Sequence, residues 1–293
     1  MLSVRKNFPA FVTGASGFIG GKIAERLLSE GRARARAVPP AAAGTRGEGA
    51  EVVLGELDDR HALERGCRSS ETVFHVPDAW ASGVRARIFS ASTWRARRKL
   101  LAACGDAGVH RFVYTSSPSV VFNGGNLRNV DESAPLCLHA PCAYPTSKAA
   151  AELAVLQAHS AGLATIALRP HLVWGPGDRN VVPRLIALAR AGKLKIVGSG
   201  TNQVDITHIA NVVDAHLLAE GALLANPQRP TPNPPTRLAG CSRQAYFITN
   251  GEPVILWDWI NQVLRGVGLP RSPRRCRCRS LTPSAGCWRR GGA

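Results

Sequence analysis

The sequence predicts an α/β fold, a doubly wound parallel sheet with a small C-terminal lobe, and three observations lead there. Short apolar, β-prone runs alternate with stretches of helical periodicity, the order of a parallel sheet whose crossovers are helices. A glycine-rich turn, Gly14-Ala15-Ser16-Gly17-Phe18-Ile19-Gly20, joins the first such run to the first helical stretch. Farther on, Tyr144 and Lys148 open an apolar-periodic stretch that continues through Leu156. At that spacing they share one helix face, one turn apart.

Ala10–Thr13 reads as a buried strand and Lys22–Leu28 as a helix, with the glycine turn between them. Strand, glycine turn and helix in this order form a dinucleotide-binding context. The glycines permit a tight turn and close backbone approach, and a pyrophosphate then sits at the helix N-terminus. The candidate cofactor-binding residues here are Gly14, Ser16, Gly17, Phe18, Ile19 and Gly20, in GxxGxxG rather than GxGxxG spacing. The second strand, Arg32–Val38, contains no acid to read an adenosine ribose, whereas Arg32, Arg34 and Arg36 can accept a 2′-phosphate. The expected cofactor is NAD or NADP, with NADP favoured. Glu51–Asp58 supplies a third strand, with Glu56 and Leu57 near the expected adenine, and Thr72–Val76 a fourth. The sheet is of the Rossmann type.

Tyr144 and Lys148 suggest proton chemistry. A free tyrosine ionises near pH 10, too high for a proton donor and acceptor at neutral pH. An ammonium one turn away favours the phenolate and draws that value down.

With these pieces the chain resembles the extended short-chain dehydrogenase/reductases, the NAD-dependent epimerase/dehydratase superfamily. Within it the chain is most similar to the 3β-hydroxysteroid dehydrogenase branch, with its sterol-4-carboxylate dehydrogenase and long-chain 2-alkyl-3-oxoalkanoate reductase relatives. The similarity is densest from Arg111 to Ala219, through Arg111–Val120, the Tyr144/Lys148 pair, Leu168–Asp178 and Asp205–His216, and it returns at Ala245–Pro253. The resemblance implies a role for each matching residue. Tyr144 is the catalytic acid/base; Lys148 lowers its pKa and holds the nicotinamide ribose. Ser117 hydrogen-bonds the reacting oxygen, in preference to Ser116. Pro170 and His171 lie beside the nicotinamide. It also implies an oxidoreductase interconverting a secondary alcohol and a ketone on a hydrophobic, steroid-like or long-chain 3-oxo or 3-hydroxy acid substrate. Val181–Ala189 reads as an amphipathic helix over the apolar substrate pocket. The alternatives are a nucleotide-sugar epimerase or dehydratase using the same Ser/Tyr/Lys set, or a catalytically impaired cofactor-binding protein.

A formal charge of +17 and a pI near 10.6 would ordinarily suggest nucleic acid or an anionic membrane. Much of the excess, however, lies in two stretches that match nothing in the family, about 79–97 and 274–293. Back-translating Ser92–Arg97 as TCA ACG TGG AGG GCA CGC, with a G ending the codon before, and reading one nucleotide earlier gives VNVEGT, which matches the VNVxGT string the family carries there. The same shift gives a GVWG-like string from Trp80–Gly83 and a VPLPLA-like string from Arg275–Ser280. Both stretches are therefore expected to be out of frame, and the basic tail to be disordered, unless they are basic surface insertions. The C-terminal part of the substrate lobe is expected to be missing.

The expected division is a cofactor domain over 1–170, an interleaved substrate lobe over 171–270 and the basic tail over 271–293. His208 and His216 read as ordinary helix histidines, and no metal site is expected. Scattered cysteines suggest a reducing, cytoplasmic setting, and no apolar run is long enough to span a membrane. The expected partners are a small hydrophobic substrate and a second copy in a homodimer, with no nucleic acid.

Overall fold

The computed structural model describes residues 8–38, 51–77, 86–141, 143–196, 198–224 and 240–271, and the side chains of 33–38, 86–95 and 143 lie outside that description. The strands are β1 (Ala10–Thr13), β2 (Ala33–Val38), β3 (Glu51–Leu54), β4 (Thr72–His75), β5 (Arg111–Thr115), β6 (Ala164–Pro170), β7 (Val173–Trp174), β8 (Gln203–Val204), β9 (Thr207–His208), β10 (Gln244–Ile248) and β11 (Val254–Ile255). The helices are α1 (Phe18–Ser29), α2 (Arg60–Cys67), α3 (Ala86–Asp106), α4 (Ala143–Gln157), α5 (Val181–Arg190), α6 (Ile209–Leu224) and α7 (Leu256–Gly266).

Seven strands form one sheet in the order β10-β6-β5-β4-β1-β2-β3, and every pairing in it is parallel. The interior strands β1, β4 and β5 are buried along their whole length. That is why they read as continuous apolar runs rather than alternating ones. Successive side chains point to opposite faces. Phe11, Val73, Phe112 and Tyr114 pack with Leu63, Cys67, Leu100, Cys104 and Val155 from α2, α3 and α4. Ala10, Val12, Phe74 and Val113 pack instead with Ile23 and Leu27 of α1 and Val213 and Leu217 of α6. Each of these large apolar side chains contributes about 1.5–3 kcal/mol by leaving water.

The residues beyond 171 divide between two places. Strand β10 and helix α6 join the large sheet and its helical layer. Helices α5 and α7 form a separate cluster with Trp174 and Ile206, centred on Trp257, Trp259, Ile260 and Leu264. Tryptophans 174 and 259 meet edge-to-face at 5.9 Å. His208 falls on β9, one residue before α6 begins, and not on the helix.

Residues 78–85 and 272–293 lie outside the described residues, and with them most of the stretches expected to be out of frame. From Ala86 the backbone runs as a continuous helix to Asp106. Arg97, at the end of the first of these stretches, is only 2% exposed. Its Nη2 donates to the Tyr114 hydroxyl at 3.4 Å, its guanidinium lies 5.1 Å from that ring, and its Nε has no partner among the described residues. An unmet buried donor on a charged group costs more than the usual 1–3 kcal/mol of a neutral one. The shifted frame places threonine at this position. Arg97→Thr is therefore expected to raise the thermal unfolding midpoint, and a lowered midpoint would show that the arginine belongs in this core.

Two buried histidines give the fold a sensitivity to acid. His216 Nδ1 donates to the Val212 carbonyl at 2.7 Å, which leaves Nε2 to accept from the Thr115 hydroxyl at 2.8 Å. Burial pushes the His216 pKa down to about 4. Burial, and then the cations of Arg97 and Lys148, hold His75 well below the usual range. Between pH 6.5 and about 4 the unfolded chain binds protons that the folded chain refuses. The stability that neutral His216 contributes is thus complete above pH 6.5 and is lost as the pH falls through about 4, and His75 adds a loss in the same direction. Denaturant midpoints measured across this range should fall steeply on acidification, with a shallower slope in His216→Gln.

Candidate active site

A cavity of about 590 Å³ opens at the C-terminal ends of the strands, between the glycine turn, the starts of α1 and α4, and the α5/α7 cluster. It sits where the strand order reverses, between β1 and β4, the place at which doubly wound sheets bind ligands. Gly14 follows β1 with φ +70°, and a Cβ there would lie 1.9 Å from the Val76 carbonyl oxygen that follows β4. A Cβ on Gly20 would lie 2.3 Å from the Gly14 carbonyl oxygen. These two glycines let the turn and the helix close on each other.

Gly17 is the N-cap of α1, with ordinary extended φ of −81° and no side chain capping the helix. Gly17, Phe18, Ile19 and Gly20 all line the cavity, and the first turn holds no acid. The positive end of a twelve-residue helix thus faces the cavity with its amide groups uncapped by any side chain. This cradle fits the pyrophosphate of a dinucleotide.

Tyr144, Lys148, Ser116, Ser117 and Pro170 line the same cavity. The pair Tyr144 and Lys148 comes from the first turns of α4, Ser117 from the end of β5 and Pro170 from the end of β6. Tyr144 is 40% exposed, whereas Lys148 is 6% exposed. The Lys148 ammonium donates to the Thr115 carbonyl at 3.5 Å and lies 5.7 Å from the Tyr114 ring. The two serines differ in their partners. Ser116 donates to buried Glu152, while Ser117 contacts Ser119, hydroxyl to hydroxyl at 3.0 Å.

Four of the residues proposed from the sequence lie outside the lining. Ser16 belongs to the glycine turn but does not face the cavity. Glu56 and Leu57 lie in the turn after β3, at the sheet's far edge, where the Glu56 carbonyl accepts from the Asp59 amide at 3.0 Å. His171 turns its ring to the Asp205 carbonyl, 2.6 Å from Nδ1, while neighbouring Pro170 faces the cavity. Arg32 is also committed elsewhere: it is 2% exposed and pairs with both Glu220 oxygens at 2.7 and 2.8 Å. The side chains of Arg34 and Arg36, the other two arginines offered to a 2′-phosphate, lie outside the described residues.

The opposite wall is apolar. Val181, Leu185 and Leu188 of α5 face Leu256, Trp259 and Ile260 of α7, with Leu172 and Val173 between. The α5 helix follows the reading of Val181–Ala189, and Asp178 caps it by accepting the amides of Asn180, Val181 and Val182 at 2.7, 3.1 and 2.8 Å. The contribution of α7 was not foreseen, although Trp257, Trp259, Ile260 and Leu264 recur at helical spacing. Leu172 holds φ +37°, a conformation that a branched side chain adopts only under constraint. Among the described residues there is no cluster of side chains able to hold a metal ion and no helix long and apolar enough to cross a membrane.

The sequence model of the 3-beta hydroxysteroid dehydrogenase/isomerase family matches residues 11–277. A 2-alkyl-3-oxoalkanoate reductase of Shewanella oneidensis is 36% identical over 279 residues, covering 91% of this chain and 68% of that protein. The reductase of the same name in Stenotrophomonas maltophilia is 37% identical, covering 89% of this chain and 76% of that protein. The human decarboxylating sterol-4-alpha-carboxylate 3-dehydrogenase is 33% identical over 87% of this chain and 66% of its own length. Among solved structures, the dTDP-glucose 4,6-dehydratase DesIV of Streptomyces venezuelae, with NAD and TYD bound, superposes with a TM-score of 0.71 at 22% identity. That match covers 92% of this chain and 84% of that one, and it shows the shared fold. MoeE5 in complex with UDP-glucuronic acid and NAD gives 0.67 at 27% identity, over 92% and 85%. The chain belongs to the 3-beta hydroxysteroid dehydrogenase/isomerase family, and with it to the oxidoreductases that interconvert alcohols and ketones.

Proposed function

We propose that this chain interconverts a ketone and a secondary alcohol on a long-chain or steroid-like 3-oxo or 3-hydroxy acid, with NADP favoured over NAD. One observation carries the reading: a single cavity is lined on one side by the glycine turn, Ser117, Tyr144 and Lys148, and on the other by the apolar faces of α5 and α7. The relatives named for 2-alkyl-3-oxoalkanoates and sterol carboxylates support that substrate class. The absence of an acid in Arg32–Val38 supports NADP.

In this reading the uncapped start of α1 holds the pyrophosphate, and Lys148 holds the nicotinamide ribose. The bound nicotinamide supplies or takes the hydride. Ser117 donates a hydrogen bond to the substrate oxygen and fixes its position. Tyr144 gives its hydroxyl proton to that oxygen as the ketone is reduced, and takes it back in the reverse direction. The ammonium of Lys148 favours the phenolate this leaves behind. The α5 and α7 side chains exclude water and hold the chain or ring system of the substrate.

The test is an assay of the chain with NADPH and a 2-alkyl-3-oxoalkanoate, following loss of reduced-nicotinamide absorbance and appearance of the 3-hydroxy product. Equal amounts of both, with a higher kcat/KM for NADPH than for NADH, are expected. Turnover with NADH alone would overturn the cofactor preference. A cofactor-saturated, folded protein that reduces neither a 3-oxo acid nor a 3-ketosteroid would overturn the function.

A further inference from the structure

Behind the cavity wall Glu152 and Arg169, neither of which lines the cavity, converge with the hydroxyl of Ser116, which does. Glu152 is fully buried on α4, one turn beyond Lys148. Its Oε2 accepts the Ser116 hydroxyl at 2.5 Å. Arg169, 3% exposed on β6, grips the same carboxylate, with Nη2 at 2.6 Å from Oε1 and Nε at 3.2 and 3.1 Å from the two oxygens. The guanidinium also lies 4.9 Å from the Phe247 ring of β10.

The chain positions of these residues give the cluster its meaning. Glu152 shares its helix with Tyr144 and Lys148, Ser116 directly precedes Ser117 on leaving β5, and Arg169 directly precedes Pro170 at the end of β6. One carboxylate therefore joins the three elements that bring Tyr144 and Lys148, Ser117 and Pro170 to the cavity. Stability is a weak reason for such an arrangement, because well-packed apolar residues in place of a buried ion pair are often as stable or more so. Arg169 even leaves its buried Nη1 without a partner among the described residues. Geometry is a better reason, since displacing a reacting group by about 1 Å can cost on the order of a hundredfold in rate.

We propose that Glu152, clamped by Arg169, is a positioning residue for the reaction. It fixes the ends of β5 and β6 against α4 and draws the Ser116 hydroxyl away, which leaves Ser117 as the hydroxyl for the substrate oxygen. This proposal rests on the site reading given above. It goes beyond that reading in assigning work to residues that touch neither cofactor nor substrate.

The experiment compares the parent chain with Tyr144→Phe, Glu152→Gln and the paired replacement Glu152→Leu with Arg169→Met. Thermal midpoint, NADPH dissociation constant, KM and kcat are measured for each on one 2-alkyl-3-oxoalkanoate. For Glu152→Gln, kcat is expected to fall about tenfold or more. KM and the NADPH constant are expected to stay within about threefold, a split that general loosening of the fold would not produce. The paired apolar replacement is expected to keep the parent's midpoint while kcat stays at least about tenfold down. Parent-like kcat in Glu152→Gln, or kcat recovering together with the midpoint in the paired replacement, would overturn the proposal. So would a loss of NADPH affinity in step with kcat. Parent-like turnover in Tyr144→Phe identifies the separate failure of the site reading itself.

Discussion

Replacing Tyr144 by phenylalanine is expected to lower kcat roughly a hundred- to ten-thousandfold while leaving the NADPH dissociation constant nearly unchanged. The ring is retained, so the packing at the start of α4 survives, and Tyr144 is 40% exposed, so little core packing depends on its hydroxyl. What disappears is the one phenol among the cavity-lining residues. Rapid mixing of the reduced cofactor with the ketone separates this loss from slow product release. Comparable single-turnover rates in the two proteins would remove Tyr144 from the role of acid/base.

The second large effect concerns the cofactor cradle. Gly17→Val is expected to abolish NAD(P) binding without unfolding the chain. Gly17 lines the cavity at the start of α1, and its φ of −81° is open to any residue. The added side chain starts from the cavity lining, where it takes space from the ligand. Gly14→Ala is expected to behave differently. There φ is +70°, and a Cβ would stand 1.9 Å from the Val76 carbonyl oxygen, so stability and binding should fall together. Cofactor fluorescence titration beside a thermal melt distinguishes the two. Intact cofactor affinity in folded Gly17→Val would remove the glycine turn from the binding site.

The parts of this site that were legible in the sequence are those built by neighbours along the chain. The glycine turn between β1 and α1 and the Tyr144/Lys148 pair on α4 need only local geometry, and both stand at the cavity. Where long-range packing decides, the sequence was silent. The wall supplied by Leu256, Trp259 and Ile260 depends on α7 meeting α5, which nothing in either segment announces. His171 follows Pro170 directly, yet its ring is drawn to the Asp205 carbonyl, 34 residues away. Arg32 reads as a free cation at a strand end until Glu220 of α6 arrives to pair with it. The Glu152–Arg169 pair spans the step from helix to strand, so no periodicity reveals it. Arg97 is buried despite its charge, and only the long-range contact with the Tyr114 ring and hydroxyl gives its guanidinium a partial partner.

The central claim is that one cavity joins dinucleotide chemistry to an apolar 3-oxo substrate. The most direct measurement follows deuterium from the reduced nicotinamide, using NADPH labelled on either face of C4 and a 2-alkyl-3-oxoalkanoate. Net consumption of cofactor is expected, with the label of one face recovered on C3 of the 3-hydroxy product. Nucleotide-sugar epimerisation or dehydration instead returns the hydride within the sugar and leaves the cofactor pool unconsumed. Turnover of a sugar nucleotide in that manner, with no label entering the 3-oxo acid, would contradict the account.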